Sequence, residues 1–249
     1  YVVSLQLMVF CHAQPQRDQL LIRRNAQWLI NAQEPTSGGW GYGSKLPSTD
    51  PSNSQFALLA LHEAERQGIG IPPQTWHAAN IYWSSRQLGT GGWTYDSSFG
   101  PTPSVSMTCA GIASMVITQG KQVNIEQRII GGKVQCCNSN IIDDQIEKGL
   151  HWLARRIRVG SGAFTKDTSY FYYMYCIERV GRLTGKRYIG TTDWYRLGCE
   201  SIVNLQDKLR GAWAGSLGRG ENQPAIATSF ALLYLSKGRR PVVIAKLKY

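Results

Sequence analysis

Gln33-Glu34-Pro35-Thr36-Ser37-Gly38-Gly39-Trp40 decides the fold, because the chain repeats it. Gln87-Leu88-Gly89-Thr90-Gly91-Gly92-Trp93 and Gln206-Asp207-Lys208-Leu209-Arg210-Gly211-Ala212-Trp213 follow the same formula: a glutamine, three or four residues, then Gly-x-Trp. A degenerate copy runs from Ile157 to Phe164, with Gly162 in register, Ile157 in place of the glutamine and Phe164 in place of the tryptophan. The aromatic residues that close the units are 53, 71 and 49 residues apart, so the middle interval holds an insertion. Repetition at this period is the mark of stacked supersecondary units.

The flanks repeat as well. Amphipathic stretches Leu21–Ala32, Thr75–Arg86, Ile146–Arg156 and Trp194–Leu205 precede the units and read as helices. More apolar stretches follow them, led by small polar residues of the kind that cap helices: Ser54–Leu61, Ser104–Ile112, Thr168–Ile177 and Thr228–Leu235. Tyr1–Cys11 has the character of a second helix without its first. Each unit is thus a glycine turn joining two helices, with glycine supplying backbone angles that other residues avoid. Trp40, Trp93 and Trp213 are expected to stack on the glutamine and on the neighbouring helix end, clamping one hairpin to the next. One hairpin cannot bury its apolar face alone, so neighbours must stack. The expected fold is all-α: an α/α toroid of helical hairpins with inner and outer helix rings. Its nine helices are fewer than a closed ring requires.

Gln-x-x-x-Gly-x-Trp followed by a Ser/Thr-led apolar helix resembles the repeat of terpenoid cyclases of the squalene cyclase type and of protein prenyltransferase β subunits. The resemblance spans residues 1–238. It divides them into a half repeat 1–11, repeats of about 20–66, 75–118, 146–182 and 194–237, and an insertion at 119–142. Residues 170–213, with Tyr172-Tyr173-Met174-Tyr175, Glu178-Arg179-Val180-Gly181-Arg182 and Asp193-Trp194-Tyr195-Arg196, are similar to bacterial proteins in which such repeats precede a further domain. The resemblance therefore implies that residues 239–249 lead towards a C-terminal domain of the same polypeptide. The absence of Met ahead of the apolar run Tyr1–Phe10 carries the expectation that N-terminal residues have been removed.

Composition narrows the function classes. Charged residues are 17% of the 249, against about 25% in an average domain, while eight Trp, twelve Tyr and 26 Gly take up the difference. Disorder and coiled coil are excluded, and no stretch nears the roughly 18 apolar residues of a membrane span. The net charge of +11 is lopsided: residues 1–124 carry seven basic and six acidic side chains, residues 125–249 twenty and ten. No zinc finger, RNP-like strand or basic zipper accompanies the basic half, so nucleic acid is not an expected partner. Six Cys show no paired CxxC spacing, and neither a metal nor a cofactor is expected. Cys136-Cys137, in the insertion, is a candidate redox pair.

The chemistry of the resembling families is tested residue by residue. Cyclases of this type protonate an isoprenoid with an Asp-x-Asp-Asp cluster, which this chain lacks; Asp50 is the one acid placed ahead of an inner helix. Asp143-Asp144 reads as a helix cap. The zinc set of prenyltransferases, Asp-x-Cys with a distant His, is absent, as is the Gly-Cys-Gly-Glu-Gln thioester of complement-type toroids. His62 and Cys109 are the inner-helix residues of interest. A polysaccharide hydrolase or lyase needs two facing carboxylates, for which Glu63, Asp96, Asp167 and Glu178 are available. Five aromatics in six positions, Tyr170, Phe171, Tyr172, Tyr173 and Tyr175, cover more than one helix face; either some of them line a central cavity, near Glu178, or they pack between helices. The leading expectation is a non-catalytic module that binds an isoprenoid, glycan or peptide. A divergent isoprenoid cyclase using Asp50 and a polysaccharide-acting enzyme are the alternatives.

Overall fold

The structure, a computed structural model, describes residues 1–42, 48–95, 101–123, 129–130, 133–134, 144–159, 169–216 and 220–236. The protein is all-α, with nine helices among these residues and two short hairpins of paired two-residue strands. The chain divides into two compact units, Tyr1–Arg156 and Ile157–Tyr249.

In the first unit the helices are α1 (Val2–Ala13), α2 (Gln19–Asn31), α3 (Pro51–Arg66), α4 (Pro73–Ser84), α5 (Val105–Val123) and α6 (Asp144–Ala154). Helices α1, α3 and α5 form one layer, each against the next, while α2, α4 and α6 cover it. Sequence explains the division. From Pro51 to Leu61 every residue of α3 is buried, as an apolar helix with neighbours on all sides should be. Helix α2 buries only Ile22, Asn25, Ala26 and Leu29, a stripe at helical spacing. Strands β1 (Ile129–Ile130) and β2 (Lys133–Val134) pair antiparallel within the expected insertion. Cys136 and Cys137 lie outside the described residues.

The second unit contains α7 (Tyr170–Thr184), β3 (Tyr188–Ile189), β4 (Thr192–Asp193), α8 (Trp194–Asn204) and α9 (Pro224–Leu235). Helices α7 and α9 pack together and α8 lies against both. Gly185, at φ 66°, ends α7, and the Asp193 carboxylate caps α8 by accepting from the Arg196 N–H. Gly162 and Phe164 of the degenerate copy fall outside the described residues.

Candidate functional site

The repeat unit has a fixed set of bonds. The indole nitrogens of Trp40, Trp93 and Trp213 donate to the carbonyls of Leu29, Trp83 and Ile202, at 2.7, 2.8 and 2.7 Å, close to the end of the preceding helix. Their backbone N–H groups donate to the hydroxyls of Ser54, Thr108 and Thr228, at 2.8, 3.1 and 3.1 Å. The glutamines then close the turns: Gln33 donates to the Gly38 carbonyl, Gln87 to Gly91 and Gln206 to Gly211, at 2.8, 2.9 and 2.9 Å. Buried backbone carbonyls at helix ends need such donors.

The hydrogen bonds of each tryptophan stay within its own hairpin, while the Trp93 ring packs against Gly149 of α6 in the next one. A polar link to the next hairpin comes from the glutamine. Gln33 also donates to the Thr75 carbonyl of α4 at 3.0 Å, and Gln87 to the Gln145 carbonyl of α6 at 2.7 Å. The capping expectation holds at Ser104, whose hydroxyl accepts from the Met107 N–H, but not at Ser54 or Thr228, which sit, like Thr108, one turn inside their helices with the hydroxyl facing the tryptophan backbone.

Asp50 occupies the N-cap of α3, with Pro51 at the first helical position. One carboxylate oxygen accepts from the Asn53 N–H and the Ser52 hydroxyl, both at 2.7 Å; the other accepts from the Tyr95 phenol. Burial and the adjoining carboxylate push the Tyr95 phenol up to about 12. The backbone positions are repeated one unit on: the Asp50 N–H donates to the Trp40 carbonyl, and the Ser104 N–H to the Trp93 carbonyl. Ser104 in turn accepts from the Met107 N–H at 3.2 Å. A neutral hydroxyl therefore suffices for that cap. Tyr95, bonded to Asp50, and Tyr42 are both exposed, and Tyr42 stands 6.0 Å from the Tyr1 ring. Sequence reading overlooked Tyr42, Ser52 and Tyr95, since nothing local marks residues that converge across a loop.

His62 lies three turns along α3 from Asp50, so the two do not converge. Burial, aided by Lys121, lowers its pKa. Its neighbour Glu63 is buried and paired with Arg66 at 2.9 Å and His12 at 3.4 Å. Cys109 is buried in α5. Asp144 begins α6 and pairs with Lys148. Asp96, Asp143 and Asp167 lie outside the described residues.

The tyrosine helix is largely core, the second of the two readings its sequence allows. Tyr170 and Tyr175 are buried, while Tyr172 and Tyr173 are half-buried. The Tyr170 hydroxyl is 2.6 Å from the Ser201 hydroxyl. Tyr172 and Tyr175 set their rings 5.8 and 5.3 Å from Phe230 of α9, and the Tyr173 hydroxyl accepts from the Arg158 N–H at 2.8 Å. The Arg179 guanidinium lies 4.7 Å from the Tyr175 ring centre and its Nε is 3.4 Å from the buried Glu178 carboxylate. Glu221, which no sequence pattern picked out, is buried and accepts from the Phe171 and Tyr172 N–H groups at the start of α7. No group of three or more His, Cys, Asp or Glu suited to a metal ion occurs among the described residues, and no helix there is long and apolar enough to cross a membrane. Comparison with protein-family models, with curated proteins and with solved structures returned no match.

Proposed function

We propose that the chain is a non-catalytic binding module built on helical-hairpin repeats of the squalene cyclase and prenyltransferase type, arranged as part of an α/α toroid. The observation that carries this reading is how Asp50 is held. An acid that protonates an alkene must have its proton aimed at substrate, whereas both Asp50 oxygens accept bonds, from Asn53, Ser52 and Tyr95. Glu63 and Glu178 are likewise engaged with basic side chains. The ligand surface is the rim around Asp50, where the exposed rings of Tyr42 and Tyr95 adjoin hydrogen-bonded hydroxyls. Tyrosine pairs apolar area with a polar tip, which suits the faces and hydroxyls of a glycan.

The test is incubation of the protein with squalene and, separately, with a cello-oligosaccharide, followed by product analysis and a fluorescence titration with the sugar. The expected result is no product from either, with sugar binding that weakens at least fivefold in a Tyr42→Ala/Tyr95→Ala double variant. Product that disappears in Asp50→Asn would overturn the reading, and so would sugar binding indifferent to the tyrosines.

A further inference from the structure

The Gln-Gly-Trp unit makes the same outward contact twice and leaves it unmade the third time. At the first turn, Gln33 donates to the Thr75 carbonyl, and Gly38 packs so closely on the Ala78 carbonyl that a Cβ would collide with it. At the second, Gln87 donates to the Gln145 carbonyl, and Gly91 packs in the same way on the Lys148 carbonyl. In both cases a helix offers one first-turn carbonyl to the glutamine and, three residues on, a second to the glycine. The next residue is small and buried: Ala79 in α4, Gly149 in α6.

The third turn is built identically. Gln206 donates to the Gly211 carbonyl at 2.9 Å, Gly211 has φ 64°, and the Trp213 indole and backbone bonds are in place. No outer helix comes after α9 among the described residues. A Cβ on Gly211 would meet nothing within 4 Å, and Gly211 is exposed where Gly38 and Gly91 are buried. The adjoining inner helix is bare in register. Aligned on Ser54, Thr108 and Thr228, the counterparts of Leu232 and Leu233 are Leu58 and Leu59 in α3 and Ile112 and Ala113 in α5. All four counterparts are at most 3% exposed, whereas Leu232 is 54% and Leu233 42% exposed. An apolar surface of this kind next to an unused hydrogen-bond donor marks an interaction site.

We infer that the end of the α8–α9 hairpin is a docking site for an amphipathic helix, the first helix of a further hairpin of this same repeat. The occupant enters with its first turn on Gln206, a small residue four positions after the carbonyl that Gln206 contacts, and an apolar stripe towards Leu232 and Leu233. Continuity with the two interfaces already made, the first turn onto α4 and the second turn with α5 onto α6, specifies this chemistry. A second copy of the chain does not satisfy it. The outer helices α4 and α6 are already held by Gln33 and Gln87, the matching carbonyl of α8, that of Trp194, is taken by the Tyr234 hydroxyl, and α2 is preceded by α1, an inner helix that would claim the place of α9. The site is independent of what the rim at Asp50 binds.

The probe is a synthetic peptide of residues 70–86, the α4 segment, stapled across the exposed positions His77 and Ile81 so that it is helical before it binds. Isothermal titration of the whole chain should show saturable one-to-one binding. Gln206→Ala should weaken it by about fivefold, as expected for a single hydrogen bond worth about 1 kcal/mol. Leu232→Lys/Leu233→Lys should abolish it, and so should replacing Ala79 in the peptide by Trp. Circular dichroism of each variant checks that the helices remain. Absence of binding by the stapled peptide, or binding unchanged in both variants, would overturn the inference.

Discussion

The side-chain amide of Gln87 donates to the backbone carbonyl of Gln145 at 2.7 Å, joining residues 58 apart in sequence. With the second bond to Gly91, one side chain both closes a turn and holds the following helix. Gly91 lies beneath that helix at φ 93°, where an alanine would be strained and would also strike the Lys148 carbonyl. Gly91→Ala should therefore cost at least about 1 kcal/mol more than Gly211→Ala, which bears only the backbone strain. Urea unfolding midpoints of the two variants make the comparison.

Asp50 caps α3 in the position where Ser104 caps α5. Asp50→Ser should lose under about 0.5 kcal/mol, while Asp50→Ala should lose about 1 kcal/mol. Thermal unfolding followed by circular dichroism gives both values. A larger loss in Asp50→Ser would mean that the negative charge itself is needed.

The Tyr95 phenol carries a pH signature. Its pKa rises from 10.0 to about 12 on folding, because burial and the Asp50 carboxylate both disfavour the phenolate. The stabilising contribution of the protonated phenol is complete below pH 10 and is lost as pH climbs through 12. The stability difference between the native chain and Tyr95→Phe should accordingly shrink across pH 10–12, and stay constant between pH 7 and 9.

Thiol reactivity follows burial. Cys11, Cys109 and Cys176 are buried and Cys199 is half-buried; burial, with Glu63 nearby, pushes the Cys11 thiol up to about 11. In a Cys136→Ser/Cys137→Ser background, an alkylating reagent should modify Cys199 first and leave the other three intact until the protein unfolds. Peptide mass mapping of timed samples reads the order.

The helices were legible because their signal is local. Trp194–Leu205 was expected and α8 runs Trp194–Asn204; Tyr1–Cys11 was expected and α1 runs Val2–Ala13. Helix α3 starts three residues ahead of Ser54, since Asp50-Pro51 supplies the cap and Ser54 turns its hydroxyl to Trp40. The site was harder to see. Five aromatics on one helix announce a wide apolar face, but whether that face meets a cavity or another helix depends on Phe230 and Ser201, tens of residues away. Glu221 reaches its partners across 49 and 50 residues, and a lone glutamate carries no periodic signal. Chemistry assembled from distant loops leaves no pattern within any one window.

The central claim is that the glutamines of the first two units, Gln33 and Gln87, are the joints between hairpins. Equilibrium urea unfolding of Gln33→Ala, Gln87→Ala and Gln206→Ala tests it most directly. Gln33 and Gln87 each hold two carbonyls, one of them on the next helix, and their loss should cost about 1–3 kcal/mol. Gln206 holds only its own turn, and its loss should cost under about 0.5 kcal/mol. Equal costs at all three positions would contradict the account.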